Sequence, residues 1–254
     1  MNSATVRGAT IGYDGVGPST GLPVLLIHGH PFDRTLWAPQ VTAPTEAGHR
    51  VVTPDLCGYG RSGVTPLLDH LGIERAVVGG VSMGGQITME FQLRHPGRLR
   101  ALVLSDTSAP AETAEGRLFR NRMAGRLLAE GMDGYAHEVI GKMLADYDVT
   151  AMPDVAAHVL EMMGATAPRG AAAALRGRAE RPDYRDVLAG VKAPVLIVVG
   201  ADDVCTPVAE AEAVRRLVPH ATLAVIEKAG HLPGAEQPDR FNAVLLDFLT
   251  ERVV

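Results

Sequence analysis

The stretch Ala76-Val77-Val78-Gly79-Gly80-Val81-Ser82-Met83-Gly84 decides how this chain folds. β-Forming residues lead into a serine that is bracketed at minus two and plus two by Gly80 and Gly84. Met83 to His95 then reads as a mixed apolar helix, stopped by Pro96 and Gly97. A strand that turns this abruptly into a helix holds the tip residue in a strained backbone conformation, and the flanking glycines let neighbouring chain pass close by. The Ser82 hydroxyl is thereby pushed out of the sheet, to the amino end of a helix. This nucleophile elbow is a short pattern, so its meaning depends on what the rest of the chain brings to it.

A serine hydroxyl attacks only beside a base, and imidazole is the side chain whose unperturbed pKa lies nearest neutrality. Of the nine histidines, His49, His70, His95, His137, His158 and His220 lie in or beside expected helices or at helix ends, where solvated or capping histidines are ordinary. His231 differs, because its Gly/Pro-flanked loop, Lys228-Ala229-Gly230-His231-Leu232-Pro233, follows the strand-like Ala221 to Glu227 and can reach back over a sheet. The third group required is a carboxylate that orients the imidazole and stabilises its charged form. Pro194 to Val199 is an unbroken apolar run suited to a buried parallel strand, and it ends in Gly200-Ala201-Asp202-Asp203. Asp202 and Asp203 both leave the sheet there. Asp106, after the expected strand Arg100–Ser105, is a third candidate.

Serine attack on a carbonyl creates a negative oxygen, and each backbone N–H aimed at it contributes about 3–4 kcal/mol to catalysis. The Met83 amide follows from the elbow itself. A second donor is expected after an early central strand, and Leu22-Pro23-Val24-Leu25-Leu26-Ile27-His28-Gly29-His30-Pro31 supplies one. Here the chain resembles the α/β-hydrolase superfamily: His28-Gly29-His30-Pro31 looks like its H-G-x-P oxyanion loop, which implies that the His30 amide donates. An imidazole at that place departs from the apolar or aromatic residue common among relatives; it either binds a polar substrate group or is satisfied locally. Asp55-Leu56-Cys57-Gly58-Tyr59-Gly60-Arg61-Ser62 resembles the D-x-x-G-x-G-x-S block, read as a tight loop beneath the oxyanion hole that does no chemistry. Gly200, Asp203 and Pro207 resemble a G-x-x-D-x-x-x-P pattern, which favours Asp203 as the acid, and the order Ser82, Asp203, His231 is that of this superfamily.

The resemblance runs from Leu22 to Ser105 and from Ala193 to Leu249. It implies an α/β-hydrolase fold: a mostly parallel, twisted sheet of about eight strands with helices on both faces. Residues 1–106 and 191–254 would form the core, and residues 107–190 a helical lid. The reaction it implies is cleavage of a small-molecule ester or lactone through an acyl-enzyme, with Ser82 as nucleophile, His231 as base, Asp203 as its orienter and the amides of His30 and Met83 as the oxyanion hole. No metal or organic cofactor is implied. Asp183-Tyr184 and Gly230 to Pro238 resemble enol-lactonase-like and small-ester hydrolases. Similar triads serve C–C bond hydrolases, thioesterases and perhydrolases, and a hydrolase-derived ligand-binding protein with little turnover is a different class again. Serine at position 82 disfavours dehalogenases and epoxide hydrolases, which carry aspartate at the elbow.

With 254 residues, 46% hydrophobic and 21% charged, the chain suits one catalytic domain carrying a large insertion. A net charge of −5 without a Lys/Arg run gives no support for a nucleic-acid or membrane partner, and it points to neutral or weakly charged substrates. Met1 to Gly8 lacks an apolar h-region and no window approaches the roughly 18 apolar residues of a spanning helix, so a cytoplasmic protein is expected. Cys57 and Cys205 show neither C-x-x-C nor metal-ligand spacing and read as free thiols in a reducing compartment.

Thr113–Glu130, Gly134–Tyr147, Pro153–Thr166 and Gly170–Arg181 read as four lid helices. They and their connections hold six of the nine methionines, Met123, Met132, Met143, Met152, Met162 and Met163, expected mostly as core filler. Arg117, Arg120, Arg122 and Arg126 are expected on solvated faces, although an inward arginine would hold a carboxylate. Finally, Gly63 to Arg75 is short for a parallel crossover, which takes about 10–12 residues or more. A stub helix is expected there, with the exposed sheet face covered by a shifted N-terminal segment or by a partner subunit in a homodimer.

Overall fold

The apolar runs become the middle of a sheet. The computed structural model describes residues 2–6, 8–56 and 64–253, so the expectations for Cys57 and the Gly58–Ser62 loop lie outside the described residues. The strands are β1 (Asn2–Val6), β2 (Ala9–Val16), β3 (Pro23–Ile27), β4 (Arg50–Pro54), β5 (Ala76–Val81), β6 (Leu99–Ser105), β7 (Val195–Gly200) and β8 (Thr222–Ile226). They form an eight-stranded sheet in the order β1-β2-β4-β3-β5-β6-β7-β8, antiparallel at β1–β2 and β2–β4 and parallel from β4 onward. Every residue of β5 and β7 is buried, as a parallel strand covered on both faces requires.

Side-chain alternation sorts these strands into two cores. Leu25, Ile27, Val78, Leu102 and Ile197 point to one face; Val24, Leu26, Val77, Val103 and Leu196 point to the other. On the first face lie α2 (Val64–His70), α3 (Met83–Arg94), and later α9 (Arg185–Ala189) and α10 (Val208–Leu217), through Leu68, Met89, Leu188 and Val214. Trp37 from a 3-10 helix ahead of α1 (Thr42–Glu46) packs on the second face, with Phe241 and Leu245 from α12 (Pro238–Arg252). Each such large side chain, fully removed from water, contributes about 1.5–3 kcal/mol.

The sheet order reverses at one place. The chain moves from β3 outward to β4 and then returns to lay β5 on the other side of β3. In open α/β sheets a crevice opens outside the carboxyl ends of such neighbouring strands, and here the His28–Pro31 loop and Ser82 follow those ends.

Between β6 and β7 the chain is helical: α4 (Ala114–Glu130), α5 (Asp133–Met143), α6 (Asp148–Ala151), α7 (Pro153–Ala165), α8 (Pro168–Ala179), then α9. Four of these match the helices read from sequence. The short α6 and α9 were not anticipated, because one or two turns leave too few residues for a periodic signal. Alanines let α4 and α8 pack closely through Ala124, Ala171 and Ala172. Met132, Met162 and Met163 are buried, and Met163 fully so, while Met123, Met143 and Met152 are half-buried. No helix among the described residues is long and apolar enough to cross a membrane.

The short crossover is α2, a stub of seven residues. Leu67 and Leu68 are fully buried in the core that also takes Ala4 from β1 and Ile11 from β2, and α2 lies against β1. The stub thus packs on the face of the sheet that the N-terminal hairpin extends at its edge. Leu67→Ala leaves a cavity at this junction and is expected to cost about 2–5 kcal/mol, read as a lower urea midpoint with an unchanged slope.

Candidate active site

Ser82 sits at the tip between β5 and α3 with φ 55° and ψ −113°, a left-handed conformation that costs a non-glycine residue about 1–3 kcal/mol. The surrounding chain leaves it little choice. Its N–H donates to the Ser105 carbonyl at 2.9 Å, and its own carbonyl accepts from Thr107 Oγ1 at 2.7 Å and from the Gln86 N–H at 3.2 Å. A Cβ on Gly80 would lie 2.3 Å from the carbonyl carbon of Gly84, and one on Gly84 would lie 2.1 Å from the Ile27 carbonyl oxygen. Only glycine permits the strand, the turn and the start of α3 to close this tightly.

Asp203 and His231 stand on the loops after β7 and β8. His231 Nδ1 lies 2.8 Å from Asp203 Oδ2, and both side chains are buried. Because an ionised carboxylate only accepts, Nδ1 carries the proton and the lone pair of the imidazole is on Nε2. Asp203 is further held by the N–H groups of Cys205 and Thr206 at 2.7 and 3.1 Å and by Thr206 Oγ1 at 2.6 Å. Burial raises its pKa, but the hydrogen bonds from His231 and Thr206 outweigh this and hold the carboxyl below its usual value.

The other two aspartates are placed differently. Asp202 is exposed and accepts from the Tyr147 hydroxyl at 2.6 Å, away from His231. Asp106 is buried behind the pair, accepting from Ser105 Oγ at 2.5 Å and from the Gly200 N–H at 2.9 Å. Burial and then the charge of Asp203 drive its pKa well up, and the two carboxyls also hydrogen-bond.

The His28–Pro31 loop packs directly on the elbow: a Cβ on Gly29 would meet the Val81 carbonyl at 3.2 Å and Ser82 Cβ at 3.4 Å. His28 ties this loop to the one after β4, with Nδ1 2.8 Å from the Gly29 carbonyl and Nε2 accepting from the Leu56 N–H at 3.0 Å. His30 is buried, with its ring 6.5 Å from that of Tyr135 on α5. Burial, reinforced by the charges of Arg178 and Arg120, drives its pKa well below the usual value and keeps the imidazole neutral. Met83 is the first residue of α3, where the N–H has no partner within the helix.

One residue escaped the sequence reading of individual roles. Glu236, in the short helix α11 (Pro233–Glu236), is 1% exposed and accepts from the N–H groups of Ala145, Gly230 and Leu232 at 2.7, 2.9 and 3.2 Å. Burial pushes its carboxyl up to about 7 against those three donors. It brackets His231 on both sides and fastens that loop to the end of the α5 segment. A glutamate five residues after the histidine was the only signal.

Asp203, Cys205 and His231 have donor atoms within 4.8 Å of one another. Their chemistry does not suit a cation. The Asp203 oxygens are already taken by hydrogen bonds from His231, Cys205 and Thr206.

A model of the family described as alpha/beta hydrolase fold matches residues 23–238. The chain is 26% identical to the 3-oxoadipate enol-lactonase 1 of Acinetobacter baylyi, across 96% of this chain and 94% of that protein. It is 31% identical to the 2-hydroxy-6-oxononadienedioate/2-hydroxy-6-oxononatrienedioate hydrolase of Paraburkholderia phymatum, across 92% and 88%. Among solved structures it is similar to a thermophilic esterase from Thermogutta terrifontis, with a TM-score of 0.92 and 34% identity over 100% of this chain and 99% of that one.

Two measurements check the site's energetics. Glu236→Ala strands three buried N–H groups and is expected to lower unfolding free energy by at least about 3 kcal/mol, with Glu236→Gln losing less. The depressed pKa of Asp203 contributes stability above its unfolded value near 3.9, and that stability is lost as pH falls through the lower folded value. Denaturant titrations between pH 2 and 5 are therefore expected to show a steeper acid loss in the wild type than in Asp203→Asn.

Proposed function

Because this chain belongs to the α/β-hydrolase fold family, we propose that it hydrolyses a carboxylic ester or lactone through an acyl-enzyme formed on Ser82. The reading rests above all on the Asp203–His231 hydrogen bond, which leaves Nε2 as the basic nitrogen of a buried imidazole. Nε2 takes the Ser82 proton as Oγ attacks the carbonyl carbon, and the amides of His30 and Met83 receive the developing negative oxygen. The imidazolium, stabilised by Asp203, then gives that proton to the leaving alkoxide as the carbon–oxygen bond breaks. In the second half His231 deprotonates water, which attacks the acyl carbon and frees Ser82. Residues 107–190 act as the lid over this chemistry.

A second reading follows from the similarity to the Paraburkholderia phymatum hydrolase. There the same serine and histidine would act on a 2-hydroxy-6-oxo-dienedioate, breaking a carbon–carbon bond.

A panel of p-nitrophenyl esters, lactones and a 2-hydroxy-6-oxo-dienoate separates the two readings. Ester or lactone turnover is expected, and Ser82→Ala lowers kcat by at least about 10⁴-fold. A fluorophosphonate adduct on Ser82, found by mass spectrometry of the wild type, identifies the nucleophile independently. No turnover and no adduct would overturn the enzyme reading.

A further inference from the structure

Ser82, Asp203 and His231 follow the carboxyl ends of parallel strands; the amino ends carry a different chemistry. β4 opens with Arg50, Arg75 immediately precedes β5, and Arg100 is the second residue of β6. Because β4, β3, β5 and β6 are parallel neighbours, all three arginines come to one edge of the sheet. They line a cavity of about 480 Å³ there, together with Ser19, His49 and Glu74. The six residues of β5, about 20 Å of extended chain, separate this edge from Ser82.

The protein's own groups leave these guanidiniums poorly matched. Arg50 reaches the Leu71 carbonyl from Nη1 and Nη2 at 3.4 and 3.5 Å, beyond ordinary hydrogen-bond lengths, and Arg75 donates from Nη2 to the Leu99 carbonyl at 2.8 Å. Arg100 Nε is buried with no hydrogen-bond partner among the described residues. Nor, among those residues, does a carboxylate come within ion-pair distance of any of the three. Arg98 on the same edge differs, pairing with Asp69 at 2.8 Å. A guanidinium has five N–H donors, so each of the three leaves most of them to whatever enters the cavity. In a chain of net charge −5, three cations gathered round one opening repel one another, and an oxyanion between them offsets that cost.

We propose that this edge is a second binding site, which takes a small molecule carrying clustered phosphate or carboxylate oxygens between Arg50, Arg75 and Arg100. The cavity is of the size that holds a small ligand. Arg100 Nε offers a donor shielded from water, where a charge-assisted hydrogen bond is strongest, and the exposed Arg75 completes the fork from the solvent side. Glu74, a carboxylate in the same lining, opposes the anion and limits its affinity.

Titration calorimetry of the whole protein with pyrophosphate and with citrate, at ionic strength matched with sodium chloride, tests the site. At least one of the two anions is expected to bind the wild type. Arg100→Met and Arg75→Met each weaken that binding by at least about 10-fold, and Glu74→Gln tightens it. Arg122→Met, on an exposed position of α4, removes the same charge from the protein and leaves binding unchanged. Arg75 is exposed, so its variant reads the site even where Arg100→Met does not fold. A preference for pyrophosphate assigns phosphate groups to the ligand, and a preference for citrate assigns carboxylates. No heat beyond the salt control, or binding that Arg75→Met lowers no more than Arg122→Met does, refutes the site and leaves the hydrolase reading untouched.

Discussion

Everything at this site depends on a steric constraint: the elbow has no room for a Cβ on either side of its serine. Gly84 lets α3 approach the Ile27 carbonyl, Gly80 lets β5 pass under Gly84, and Gly29 lets the neighbouring loop lie against Ser82. These approaches bring the end of β3 and its loop into contact with the β5–α3 turn, and Ser82 takes its φ of 55° where they close. The strain is small beside the burial of β3, β5 and β6, which is why it persists. The position of Ser82 is thus set by backbone packing.

Much of this was legible in the sequence, because its signals are local. Apolar runs of five to seven residues announce buried strands, glycines at fixed offsets announce the elbow, and His231 and Asp203 stand immediately after strands. The spacing of Gly200, Asp203 and Pro207 favours Asp203 over its neighbour Asp202, and side-chain geometry sends Asp202 to Tyr147 and Asp203 to His231. Glu236 was illegible for a different reason. Its partners are main-chain amides, one of them 91 residues away, and an amide leaves no mark in the residue code.

The two buried aspartates are set apart by their surroundings. Burial and then the charge of Asp203 push the Asp106 carboxyl well up, whereas Asp203 gathers donors from His231, Cys205 and Thr206 that hold it below its usual value. Among the described residues Asp106 accepts from Ser105 and Gly200. The imidazole of His231 thus faces the carboxyl whose charged form its donors favour.

The hold of Glu236 on Ala145 has a bearing on how such a protein diversifies. The contact is made to a peptide N–H, so it is indifferent to which side chain stands at position 145 or along the helices on either side of it. Side chains between β6 and β7 can be exchanged while the backbone at Ala145 stays moored to the histidine loop, because the bond that holds it is read from the main chain alone.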